Sequence, residues 1–164
     1  MDGMGSRIAW SPMVALLSLT WLLGSCANTP VTTEITKVKY YHLKDSDSES
    51  LSIDPMIRFE REHLLHGAVT EAEQQDRLGH YYVLFWSAMP AVGPVTVRFE
   101  FRQIGTGEKV SQLEQVVPSV GEHNTTLLRV SGPIYQEHGR IVAWRASLWR
   151  DGNEIDVMRS FLWE

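Results

Sequence analysis

Residues Val95-Thr96-Val97-Arg98-Phe99-Glu100-Phe101-Arg102 alternate strictly between apolar and polar side chains. A period of two sends Val95, Val97, Phe99 and Phe101 to one face of an extended strand and the polar set to the other. Such a segment must bury one face and leave the other wet, which is the habit of an antiparallel sheet. Further on, the run from Arg140 to Trp149 is followed by Asp151-Gly152 and then by Asn153 to Trp163. Both central positions of a type I′ turn need positive φ, so Asp-Gly here predicts a two-residue hairpin between two strands. In the first arm, Val142, Trp144, Ala146 and Leu148 form the expected core face. Ile141, Ala143, Arg145, Ser147 and Trp149 fall on the opposite face.

The remaining segments extend this pattern. Val31 to Leu43 is rich in Val, Ile, Thr and Tyr, and Tyr81 to Trp86 is an unbroken apolar run that suits a central strand. Glu108 to Val117 and Thr125 to Val130 read as strands, with Gly105-Thr106-Gly107 and Gly132-Pro133 as turns. Met56 to Val69 is expected to be an early strand, and Thr70 to Leu78 a loop or one exposed helical turn. No long segment carries an apolar stripe of period 3.6, which argues against a layered α/β fold. The fold class is all-β, a two-sheet antiparallel sandwich over residues 31–164. The order of its strands resembles an immunoglobulin or fibronectin type III domain, without the Cys–Trp–Cys signature of true immunoglobulin domains.

The N-terminal part is of a different kind. From Ile8 to Thr33 there is no Asp, Glu, Lys or Arg, and Ile8 to Leu23 is an apolar run. As a helix it would be about 24 Å long, shorter than a bilayer core of about 30 Å. Arg7 precedes it and small residues follow, the layout of a secretory signal peptide. The chain's single cysteine comes next, in Leu23-Gly24-Ser25-Cys26. These four residues resemble the lipobox of bacterial lipoproteins, in which an aliphatic residue and two small ones precede the cysteine that is lipidated. The resemblance covers residues 1–26 and implies a signal peptide over 1–25, a lipidated Cys26 and a short tether over 26–30. It also implies residence in the bacterial cell envelope, with Ala27 after the cysteine favouring the outer membrane, facing the periplasm. A retained signal anchor and an ordinary secreted chain are the alternatives.

Composition closes off several functions. The net charge is −5, from 15 basic and 20 acidic residues, and nucleic-acid binders show a basic excess. One cysteine allows neither an internal disulfide framework nor a Cys-rich metal centre. No Ser lies in Gly-x-Ser-x-Gly, no Ser-x-x-Lys pair occurs, and no glycine-rich phosphate loop precedes a helix, so no catalytic residue or cofactor is assigned. Asp45, Asp47 and Glu49 alternate like a calcium loop, but the required Gly and Glu positions hold Ser50 and Met56. His63 and His66 are weak metal candidates: the spacing suits one helix face, whereas a strand would point them apart. Asn124-Thr125-Thr126 fits a glycosylation pattern but reads as a turn leading into a strand. Arg145 and Trp149, residue types favoured at interface centres, are the candidate interface.

These observations lead to an expected function: a non-catalytic, lipid-anchored binding or assembly module with a protein or glycan partner in the envelope. The alternatives are an accessory subunit or small enzyme acting on envelope polymer, metal-dependent through His63 and His66, and a carbohydrate-binding module.

Overall fold

The computed structural model describes residues 32–45, 55–91 and 93–164. The expected signal peptide and tether, with Leu23, Gly24, Ser25 and Cys26, and most of the acidic loop lie outside the described residues. In chain order the elements are β1 (Thr32–Leu43), α1 (Pro55–Leu65), α2 (Glu71–Arg77), β2 (Gly79–Met89) and β3 (Val95–Gln103). A 3₁₀ turn (Ile104–Thr106), β4 (Ser111–Val117), β5 (His123–Ser131), α3 (Pro133–His138), β6 (Ile141–Arg150) and β7 (Asn153–Arg159) complete it. Two antiparallel sheets pack face to face, one ordered β1-β2-β5 and the other β4-β3-β6-β7. The fold is a two-sheet β-sandwich. Among the described residues, no helix is long and apolar enough to cross a membrane.

β3 keeps its alternation along its whole length, with Val95, Val97, Phe99 and Phe101 buried in the core. They meet Tyr82, Leu84, Trp86 and Ala88 from β2 and Leu128 and Val130 from β5. Burial on this scale is the main favourable term in the fold, at about 25 cal/mol per Å² of apolar surface. The buried Trp86 Nε1–H donates to Thr126 Oγ1 at 3.0 Å, so the largest core side chain leaves no polar atom unpaired. At the sandwich edge the Ile35 N–H donates to Asp156 Oδ2 at 2.6 Å and ties β1 to β7 of the opposite sheet. The hairpin turn forms as expected, with φ of 51° at Asp151 and 78° at Gly152.

The expectations for four segments are revised. Met56 to Val69 is not a strand but holds α1, because its apolar and charged residues lack sustained alternation. Arg58 and Glu62, four residues apart, pair on the helix surface at 4.0 Å. Of the two readings for the segment after Thr70, a loop or one exposed helical turn, the helix is the one that forms, and it runs to two turns. The Thr70 hydroxyl accepts the Glu73 N–H, and the Glu73 carboxylate accepts the Thr70 N–H. These bonds complete a capping box and hold the Glu73 carboxyl below its ordinary value. On β6 the core face holds at Trp144, Ala146 and Leu148 but fails at Val142, which is 36% exposed. The register slips between Arg102 and Gln103, so Gln103 pairs with Ile141; Val142 is left without a partner and Ile141 joins the core. The return strand also stops at Arg159 rather than Trp163, since the Ser160 hydroxyl accepts the Trp144 N–H in place of a ladder bond.

Candidate functional site

The outer face of the first sheet explains why Tyr81 to Trp86 is apolar without interruption. Inward-pointing Tyr82, Leu84 and Trp86 enter the core, while outward-pointing Tyr81 joins a second cluster with Leu43 and Leu78. Leu64 and Leu65 of α1 pack on that cluster, together with Tyr41. The helix covers only part of the sheet. Between them runs a trough of about 470 Å³, within the size range of small-molecule sites. Its floor is Tyr41, Tyr81, Val83 and Leu127, and its far wall is Met56 and Phe59 of α1. Lys39, Glu60 and His63 supply its polar atoms.

The trough continues into a second lobe of about 430 Å³, which shares His63, Leu64, Tyr81 and Leu127 and adds Arg77 and Arg129. Arg77 is held rigidly: its Nη1 donates to the carbonyls of Leu64 at 3.0 Å and His66 at 2.9 Å. Those carbonyls lie at the end of α1, where backbone acceptors lack helical partners, so Arg77 caps the helix as well as lining the lobe. The Tyr81 hydroxyl donates to the Arg77 carbonyl at 2.5 Å, and burial pushes its pKa up, keeping it a neutral donor.

The sequence candidates are dispersed. His63 is on the last turn of α1 and lines the trough, whereas His66 falls just past the helix end. The described residues contain no group of three His, Cys, Asp or Glu placed to hold a metal ion. Arg145 and Trp149 share the outer face of the second sheet but engage different partners. Arg145 is clamped between Glu100 at 2.6 Å and Glu154 at 2.5 Å. Trp149 instead carries the Arg98 guanidinium 4.1 Å from its ring centroid, and its Nε1–H donates to Ser147 Oγ. Arg98 in turn pairs with Glu114 at 2.7 Å. This face is an internal lattice of cations, rings and carboxylates.

A second constellation lies at one end of the sandwich and was not visible in the sequence. His42 and His80, paired across β1 and β2, stack with ring centroids 4.0 Å apart. His80 is fully buried, and its Nε2 accepts the Ile141 N–H at 3.2 Å, so its proton sits on Nδ1. Burial first, then the neighbouring His42, Arg140 and Lys44, hold its pKa down at about 3. His42 Nε2 is 2.8 Å from the Tyr135 hydroxyl. A ring this reluctant to accept a proton is a structural acceptor, matched to one backbone N–H.

No family model and no curated protein matches the chain. A crystal structure from Akkermansia muciniphila is similar over 81% of this chain and 72% of its own, at 11% identity and a TM-score of 0.43.

Proposed function

We propose that this chain is a non-catalytic binding domain of the bacterial cell envelope, held at the membrane by a lipidated Cys26, with its ligand lodged in the trough between α1 and the first sheet. The observation that carries the binding reading is the trough itself: a concave, mostly apolar surface bordered by a few charged groups. Protein or glycan recognition through Arg145 and Trp149 draws less support, because Arg98 covers the Trp149 ring and two carboxylates hold Arg145. The fibronectin type III resemblance belongs to the same proposal. Its support is that the fourth strand pairs with the third in the second sheet, whereas constant immunoglobulin domains place it in the first.

Leu127 is 55% exposed, so Leu127→Glu places a charge on the trough floor with little effect on folding. Native mass spectrometry of the chain purified from its own cells is expected to find a bound small molecule in wild type and none in L127E. Equal occupancy in both overturns the trough as the site. The anchor is tested separately by Cys26→Ala and cell fractionation. The variant is expected to leave the membrane fraction, since acyl burial contributes about 0.8 kcal/mol per methylene. Full retention in the membrane overturns lipidation and returns the chain to a signal anchor.

A further inference from the structure

The trough is chemically polarised. One lobe is walled by Met56 and Phe59; the other is lined by Arg77 and Arg129 and by no carboxylate. Arg77 is pre-positioned by its two carbonyl bonds, and Arg129 is exposed with no carboxylate partner among the described residues. A cationic end on a chain of net charge −5 runs against the average of its surface. The apolar lobe carries Lys39 and Glu60, one charge of each sign, whereas the other lobe carries two guanidinium groups and no carboxylate, and this asymmetry sets the direction in which an anionic ligand would lie. The floor crosses β1, β2 and β5, a span of about 10 Å at the usual strand spacing. That span is short for a folded partner and suits a slender apolar tail.

We infer, resting on the reading of the trough as a binding site, that its ligand is a single-tailed anionic amphiphile, with its tail over Val83 and Leu127 and its carboxylate or phosphate head against Arg129 and Arg77. Guanidinium groups bind such heads through charge-assisted, often paired hydrogen bonds. The hydrophobic contribution comes from the floor and α1, and the head selects the orientation.

Calorimetry on the full chain, carrying Cys26→Ala so that it has no acyl chains of its own, tests this with three probes below their aggregation limits. These are laurate, dodecyl phosphate and the neutral dodecanol. Both anions are expected to bind one per chain, and dodecanol about tenfold more weakly. Arg129→Ala, at an exposed position, is expected to weaken the anions about tenfold and leave dodecanol unchanged, while L127E abolishes all three. A difference between laurate and dodecyl phosphate tells carboxylate from phosphate as the head. Equal affinities for all three probes, unmoved by R129A, overturn the anionic ligand and leave an apolar site. No binding by any probe overturns the trough reading beneath it. Binding of the chain to anionic phospholipid vesicles with none to monomeric probes overturns the inference in favour of a membrane surface.

Discussion

Alanine at Gly79 is expected to lower the stability of this protein by about 3 kcal/mol or more. Gly79 opens β2 with φ of 152°, a region that L-residues with a side chain rarely adopt. A Cβ there would stand 2.2 Å from the Val130 carbonyl oxygen and 2.7 Å from Ser131 Cα. Both are backbone atoms of β5, the strand to which Gly79 is paired, so no side chain can rotate away to make room. The substitution must therefore part β2 from β5 at the point where the two sheets close over Val130. Thermal unfolding followed by circular dichroism checks this, with an expected fall in Tm of roughly 10 °C. Gly152→Ala is the control. Its φ of 78° in the hairpin turn carries a strain cost of about 1–2 kcal/mol, but nothing lies within 4 Å of the added methyl. Equal losses at the two positions would show that the close approach of β5 contributes nothing.

The second large effect concerns acid. His80 takes up a proton at about pH 6.5 in the unfolded chain but only near pH 3 in the folded one. The unfolded state therefore binds more protons between those values, and stability falls as pH drops through 6.5 towards 3. The loss is about 2 kcal/mol on going from pH 7 to pH 5. Protonation would also require Nε2 to give up the Ile141 N–H, and the rings of His42, Tyr40, Tyr82 and Tyr135 leave no carboxylate among them to steady the charge. His80→Gln keeps an acceptor for Ile141 without a titrating ring. Urea denaturation at pH 7 and pH 5 is expected to show wild type losing about 2 kcal/mol more than H80Q. Identical losses in the two proteins would exclude His80 as the source of acid sensitivity.

The legibility of the sequence followed the period of its pattern. β3 and the β6–β7 hairpin were readable because alternation and Asp151-Gly152 leave one solution each. The sandwich followed from them. α1 was missed and α2 left undecided between a loop and one helical turn, although the signals stand in the chain: Asp54-Pro55 is a helix-start pair, and Thr70-x-x-Glu73 is a capping box. α2 is short and exposed with no apolar stripe, and on α1 the sheet-facing set Met56, Phe59 and Leu64 is interrupted by charged residues and too short to stand out as a period. Val142 was misplaced for a different reason. A bulge is decided by two strands together, and neither strand alone encodes it. The trough was invisible for the same cause: Tyr41, Phe59, Val83, Leu127 and Arg129 come from four elements that only the fold assembles. Of the histidine pair, His63 reached the site and His66 did not, since the helix ends between them.

The fastenings of α1 have a mechanical meaning. Arg61 donates to the Lys44 carbonyl and Arg77 to the carbonyls of Leu64 and His66, so these clasps lie along the C-terminal half of the helix. Phe59, 65% exposed, stands about 3 Å from Arg61 and about 7.5 Å from Leu64 along the helix axis. Arg77 therefore serves two parts of the molecule at once: it fastens the C-terminal end of α1 and lines the cationic lobe of the trough. Losing that one guanidinium would unfasten a helix end and remove a positive charge from the trough together, so the stability of α1 and the charge of the trough are not independent.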